Sequence, residues 1–134
     1  IWTSPRSYRS ARSAPATALS AARTPWIFLA ACDMPALDPR VIEALASRRP
    51  AVDAVVVYGP RAEPLHAFWS AGVKVALERL LREGEPSFRD LLASILYVRV
   101  RLDELEREIP GAAASFANVN TPEDLARHGL SLPP

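Results

Sequence analysis

The sequence predicts an α/β fold in which a mostly parallel sheet, with one antiparallel element, is covered by helices. Two apolar stretches, Trp26–Cys32 and Asp53–Tyr58, have the length and composition of buried strands. A strand that is apolar on both sides belongs in a sheet with both faces covered. Amphipathic helical patterns stand between and after these strands, and such alternation is typical of α/β domains.

Composition limits the classes of protein to consider. The chain has 134 residues, of which 49% are apolar and 23% charged, enough for one domain with a real core. The net charge of +1 gives no reason to expect a nucleic-acid or membrane partner. We see neither a membrane span nor a secretory signal. The one cysteine, Cys32, is expected to be a buried, inert thiol in a reducing cytoplasm.

Periodicity and capping signals predict the other elements. We expect a helix over 14–22, and a strand over 65–69 that pairs antiparallel with Asp53–Tyr58 across a short polar loop. A further strand is expected over 96–100, and a loop over 109–115. The predicted helix N-caps are Asp38, Ser70, Ser87 and Thr121, and the predicted helix ends are Gly84 and Gly129.

Asp33 is the first candidate site residue. It directly follows the strand Trp26–Cys32, and Pro35 comes two residues later. In open α/β sheets, ligands bind beside the carboxyl ends of the strands. The alternative is that Asp33 only serves a turn, because Asp before Pro is a common turn signal.

Two asparagines near the carboxyl terminus form the second candidate. Thr121, Pro122 and Asp124 are explained by helix initiation, but Asn118 and Asn120 are not. In an extended strand, these two side chains lie on the same face. The pattern therefore predicts a polar ligand site, and simple turn roles are the alternative.

Three segments together resemble the molybdenum cofactor guanylyltransferases of the MobA type, within the MobA-like NTP transferase family. They are residues 26–35 (WIFLAACDMP), 63–67 (EPLHA) and 116–125 (FANVNTPEDL), and their order and spacing also match that family. The resemblance implies a Rossmann-like three-layer α/β/α sandwich. It implies transfer of GMP from GTP to molybdopterin, in the synthesis of molybdopterin guanine dinucleotide. A molybdoenzyme or another protein of cofactor biosynthesis is a further expected partner.

The resemblance also implies roles for individual residues. Asp33 is expected to be the catalytic residue, the Mg²⁺ ligand and a nucleotide contact, since Mg²⁺ binds one or two carboxylates together with substrate phosphates. Asn118 and Asn120 match family positions near the acceptor phosphate and the metal, and so near Asp33. Pro64 and His66 match a strand that lines the acceptor side. His66 either touches substrate or is a packed or solvent-facing histidine without that contact.

One family feature is not found. The relatives carry a Gly-rich loop whose backbone N–H groups hold the GTP phosphates, whereas all five glycines here lie at or after Gly59. We therefore expect residues 1–24 to be an atypical leader rich in Arg, Ser, Pro and Ala. Residues 25–134 would be the carboxyl-terminal portion of a transferase domain whose amino-terminal part is missing, with weak or no activity alone.

Two other functions stay open. The chain is a cytidylyltransferase or another nucleotidyltransferase relative if the nucleotide differs from GTP. It is a non-catalytic module that binds molybdopterin or a partner protein if no nucleotide is used.

Overall fold

The fold is a four-stranded mixed sheet with helices on both faces. The computed structural model describes residues 14–131, so the Ser- and Arg-rich start over 1–13 lies outside the described residues. The strands are β1 (Trp26–Ala30), β2 (Ala54–Tyr58), β3 (Ala62–Ser70) and β4 (Tyr97–Arg101). The helices are α1 (Ala14–Ala21), α2 (Pro39–Ala46), α3 (Val73–Glu83), α4 (Phe88–Ala93), α5 (Leu102–Glu108) and α6 (Pro122–Arg127), with a 3₁₀ helix over Ala112–Phe116.

The strand order is β1-β3-β2-β4, and β3 alone runs against the other three. It pairs antiparallel with both β1 and β2, whereas β2 and β4 are parallel. The predicted antiparallel pairing of the second and third strands is thus confirmed. The sequence did not indicate that β3 lies between β1 and β2.

Each face of the sheet has its own apolar core, so the three-layer arrangement is confirmed. On one face, α1, α3 and α4 pack on the sheet through Leu19, Leu77 and Leu91. On the other face, α2, α5 and the 3₁₀ helix pack through Leu45, Leu105 and Phe116. Successive side chains of a strand point to opposite faces of the sheet, so each strand contributes to both cores.

Helix boundaries follow local chemistry closely. Asp38 caps α2 by accepting a hydrogen bond from the backbone N–H of Arg40, and Pro39 begins the helix. Ser87 and Thr121 each form a capping box with the aspartate three residues on. These caps were predicted from sequence and are confirmed.

Several expectations about boundaries were wrong. The first strand ends at Ala30, so Cys32 lies in a turn and is exposed rather than buried. β1 is half-buried and has only β3 as a neighbour among the described strands, so it is not covered as fully as predicted.

Two further elements differ from the prediction. Ser70 is the last residue of β3 and does not cap α3, whose N-cap is Gly72. The predicted loop over 109–115 contains the 3₁₀ helix, which Glu106 supports by accepting hydrogen bonds from the backbone N–H groups of Gly111 and Ala113.

Helix α1 belongs to the same core as the sheet. Leu19 is buried, and it falls within the range 1–24 that composition sets apart as a leader. The division of the chain into a leader over 1–24 and a transferase portion over 25–134 stays a prediction. Within residues 14–131, no helix is long and apolar enough to cross a membrane.

Candidate functional site

The candidate site lies at the edge of the sheet where β1 and β2 end. Both strands run antiparallel to β3, so their carboxyl ends meet at one edge beside the first residues of β3. The turn that follows β1 carries Asp33, and the backbone N–H of Ala31 donates to the carbonyl of Leu65 at 2.8 Å. This edge is where open α/β sheets bind ligands.

A backbone hydrogen bond connects the turn at Asp33 to the segment at residues 117–120. The N–H of Val119 donates to the carbonyl oxygen of Asp33 at 2.7 Å, although 86 positions separate the two residues in sequence (119 − 33). Because Val119 stands between Asn118 and Asn120, this bond brings both asparagines beside the Asp33 turn. The predicted proximity of the two candidate segments is present in the fold.

The two asparagines differ in environment. The Oδ1 atom of Asn118 is buried and has no hydrogen-bond partner among the described residues. Asn120 is exposed, and its backbone N–H donates to Oδ2 of Asp124. Their segment is not a paired strand, which corrects the expectation of strand geometry. A buried amide oxygen without a partner costs free energy, so it marks a position where a ligand atom would be stabilising.

Glu63 is a member of this edge that sequence reasoning missed. The sequence predicts a polar loop here, but Glu63 lies in β3 opposite Val57, next to the end of β2. Burial raises the pKa of the Glu63 carboxyl; the nearby charge of Arg61 lowers it, and the charge of Asp33 raises it further. Glu63 therefore lies near enough to Asp33 for the two carboxylates to influence each other.

Pro64 shapes the strand beside Glu63. The pairing of β2 with β3 shifts register between Val56 and Val57, and Pro64 lies in the skipped part of β3. Proline has no N–H for the ladder and is found at such bulges. Its carbonyl accepts a hydrogen bond from Nε1 of Trp69 at 3.2 Å. A contact of Pro64 with substrate stays a prediction.

His66 is fully buried, with 0% exposure. It lies opposite Ala30 at the end of β1, and its ring contacts Phe116 of the core that α2 and α5 cover. It is surrounded by the rings of Phe28 and Phe116, whose centroids lie 5.3 and 4.1 Å from its own. Burial lowers its pKa to about 4. Of the two alternatives from sequence, the described structure favours a packed histidine; its predicted contact with substrate stays a prediction.

The donor set at the edge consists of oxygen atoms. The candidate ligands near this edge are the carboxylates of Asp33 and Glu63 and the amide oxygen of Asn118. Among residues 14–131, no three His, Cys, Asp or Glu side chains cluster closely enough to form a metal cage of their own. Such a site suits a hard cation that takes its other ligands from substrate and water.

Helices on both faces of a mixed sheet, with polar side chains beside the carboxyl ends of its strands, are typical of α/β domains that bind ligands at this position. The sequence profile of the MobA-like NTP transferase domain matches residues 1–103. The chain belongs to this MobA-like NTP transferase family.

Curated relatives agree with that assignment. The chain is 34% identical over 116 residues to a probable molybdenum cofactor guanylyltransferase of Natronomonas pharaonis, covering 83% of this chain and 55% of the relative. It is 32% identical over 113 residues to the molybdenum cofactor guanylyltransferase of Pseudomonas paraeruginosa, covering 82% and 54%. The chain thus spans about half the length of these relatives.

Solved structures show the same fold. Molybdopterin-guanine dinucleotide biosynthesis protein A of Archaeoglobus fulgidus superimposes with a TM-score of 0.64 at 30% identity, over 76% of this chain and 53% of that chain. A putative protein of Aquifex aeolicus gives a TM-score of 0.66 at 20% identity, over 80% and 54%, which is a likeness of fold alone.

Proposed function

We propose that this chain carries the metal and acceptor side of a molybdenum cofactor guanylyltransferase, which transfers GMP from GTP to the phosphate of molybdopterin. The observation that carries the proposal is the hydrogen bond between Val119 and Asp33, because it places an acidic turn and an asparagine segment at one strand edge. Curated relatives with this name support the same activity. We propose the cytoplasm as the place of the reaction, because a single cysteine fits a reducing compartment.

The residues at the edge fit Mg²⁺. This cation prefers oxygen ligands and is usually held by one or two carboxylates plus substrate phosphates. Asp33 and Glu63 would supply the carboxylates, and the buried Oδ1 of Asn118, which has no partner in the described structure, would supply a neutral oxygen. When bound, Mg²⁺ offsets negative charge on the transferring phosphate.

The remaining polar groups at the edge fit an anionic substrate. The Asn118 and Asn120 amides donate hydrogen bonds to phosphate oxygens without carrying a charge that must be desolvated. The positive charge of Arg61 lies close enough to Glu63 to lower the pKa of that carboxyl, so a cation is also present beside the edge. We assign Arg61 to attraction of the substrate phosphates.

A chimeric protein tests the proposal and the nucleotide together. The amino-terminal portion of the Pseudomonas paraeruginosa relative is joined to residues 26–134 of this chain, and pyrophosphate release is measured with molybdopterin, Mg²⁺ and either GTP or CTP. We expect release with GTP and its loss in the Asp33→Asn variant. The same chimera with Asp38→Ser is the control, because serine keeps the cap of α2.

Two other results of this assay would support the two alternative functions. Preference for CTP would make the chain part of a cytidylyltransferase instead. Binding of molybdopterin without turnover of either nucleotide, and without dependence on Mg²⁺, would make it a binding module.

A further inference from the structure

His66 lies between the two segments that form the candidate site. It pairs with Ala30, the last residue of β1, and it is fully buried. Its Nδ1 is 3.4 Å from Sδ of Met34, the residue directly after Asp33. Its Nε2 is 3.4 Å from Oγ of Ser115, three residues before Asn118. One buried ring therefore contacts the Asp33 turn on one side and, on the other, the 3₁₀ helix that leads directly into the asparagine segment.

One neutral form of the imidazole satisfies every polar group around it. The backbone N–H of Asp38 donates to Oγ of Ser115 at 3.1 Å, so the Ser115 hydroxyl proton is available to Nε2 of His66. The ring proton then resides on Nδ1 and points to the sulfur of Met34, which is a weak acceptor. This assignment follows from the hydrogen-bond network.

The ring environment keeps His66 in that neutral form. Phe28 and Phe116 pack against it, and neither Met34 nor Ser115, its polar neighbours, is ionisable. A buried polar network of this kind is stabilising only when each member has its partner. The network is therefore sensitive to loss of either ring nitrogen, even where the volume of the ring is kept.

We propose that His66 is a positioning residue that holds the Asp33 turn against the segment carrying Asn118. The inference rests on the proposed function, which makes these two segments parts of one site; His66 aligns them. In this role His66 acts through its contacts with Met34 and Ser115. Phenylalanine at this position fills the space but leaves the Ser115 hydroxyl without its acceptor.

Amide hydrogen exchange at Val119 tests the proposal directly, because this N–H bonds to Asp33 across the two segments. In His66→Phe we expect exchange at Val119 to accelerate about tenfold more than exchange at the core amide of Val56. His66→Gln, which keeps an acceptor and a donor, is expected to restore part of the protection. It also serves as the test variant if the phenylalanine variant does not fold.

Leu77→Ala is the matched control, because Leu77 is almost completely buried on the opposite face of the sheet. This variant lowers global stability, so exchange at Val119 and Val56 should accelerate together. If His66→Phe and His66→Gln behave like Leu77→Ala, with no extra opening at Val119, the proposal is overturned.

A second measurement separates this inference from the proposed function. Mn²⁺, used in place of Mg²⁺, is titrated into wild type, His66→Phe and Leu77→Ala. We expect affinity to fall about three- to tenfold in the His66 variant and to stay near wild type in the control. Extra opening at Val119 together with no Mn²⁺ binding by wild type would support the role of His66 in holding the segments while contradicting the metal site of the proposed function.

Discussion

The backbone N–H of Val119 donates to the carbonyl of Asp33 at 2.7 Å. This bond joins the two segments that carry the candidate site residues predicted from the sequence. It fixes the backbone on both sides, beside the buried Oδ1 of Asn118 that has no hydrogen-bond partner among the described residues. Metal and phosphate sites need such supported positions, because a misplaced ligand group loses much of its binding energy.

Asp33→Asn is expected to weaken Mn²⁺ binding by about tenfold or more, because it removes a negative charge from the oxygen donor set. The binding is measured by electron paramagnetic resonance of free Mn²⁺ during titration. Asp38→Ser is the control, since Asp38 lies five residues on and caps α2. Equal affinities for the Asp33 variant and wild type would remove Asp33 from the site.

Glu63→Gln is expected to raise stability slightly while weakening the metal site. Burial and the charge of Asp33 raise the pKa of the Glu63 carboxyl, so its ionised form is disfavoured in the folded protein. In the metal-free protein, the neutral amide of the variant should increase the free energy of unfolding. The increase should be less than about 1 kcal/mol, because the Glu63 side chain is partly exposed. Thermal unfolding with and without Mg²⁺ measures both effects.

The control for that experiment is Glu43→Gln on the exposed side of α2. It should change neither the unfolding midpoint nor the stabilisation by Mg²⁺. A Glu63 variant that behaves the same way would show that Glu63 is only a surface carboxylate.

Acid destabilisation is expected to depend on His66. Burial lowers the pKa of His66 to about 4 from 6.5, so the unfolded chain binds this proton between those pH values and the folded protein does not. Stability from the neutral ring is therefore complete above pH 6.5 and is lost as the pH falls towards 4. The loss amounts to up to about 3 kcal/mol.

The measurement is the free energy of urea unfolding from pH 7 to pH 4 in wild type and His66→Phe. The difference in stability between the two proteins should shift in favour of the variant as the pH falls. A difference that is constant across this range would mean that His66 titrates in the folded protein as it does in the unfolded chain.

Thr121→Ala is expected to cost about 1 kcal/mol, because it removes one half of the capping box that starts α6. Thr121→Ser keeps the hydroxyl and should stay near wild type. Chemical denaturation gives both values, and amide exchange in α6 should accelerate in the alanine variant. Unchanged exchange in α6 would contradict a role for this cap in solution.

Features that depend on near neighbours in sequence were predicted well. Asp38, Ser87 and Thr121 cap their helices because the chemistry of a cap involves only the next few residues. The antiparallel pairing of β2 with β3 followed from the short loop between them. The covering of both faces of the sheet followed from apolar strand patterns, and the three-layer sandwich was implied by the family resemblance.

Features that depend on distant parts of the chain were missed. Cys32 was predicted to be buried because the apolar run reaches it, but β1 ends at Ala30 and the chain turns. Ser70 was predicted as a cap, but β3 extends through it, and its N–H donates to the carbonyl of Asp53. Glu63 was missed because its position beside Asp33 depends on the register shift in β3.

The site residues show the same division. Asp33 is a candidate because it follows the carboxyl end of a strand, and Asn118 and Asn120 are candidates because helix initiation does not explain them; their roles stay predictions. The bond that brings their segments together, and the burial of His66 between them, belong to the tertiary structure and leave no signal in a local stretch of sequence.

The central claim is that the Asp33 turn and the asparagine segment form one divalent-cation site. Paramagnetic broadening of backbone amide NMR signals by Mn²⁺ measures this in the 134-residue chain itself. We predict that signals of residues 32–34 and 118–120 broaden together at low Mn²⁺ and recover on addition of excess Mg²⁺. Broadening of only one segment, or of acidic residues elsewhere with these two unaffected, would contradict the claim.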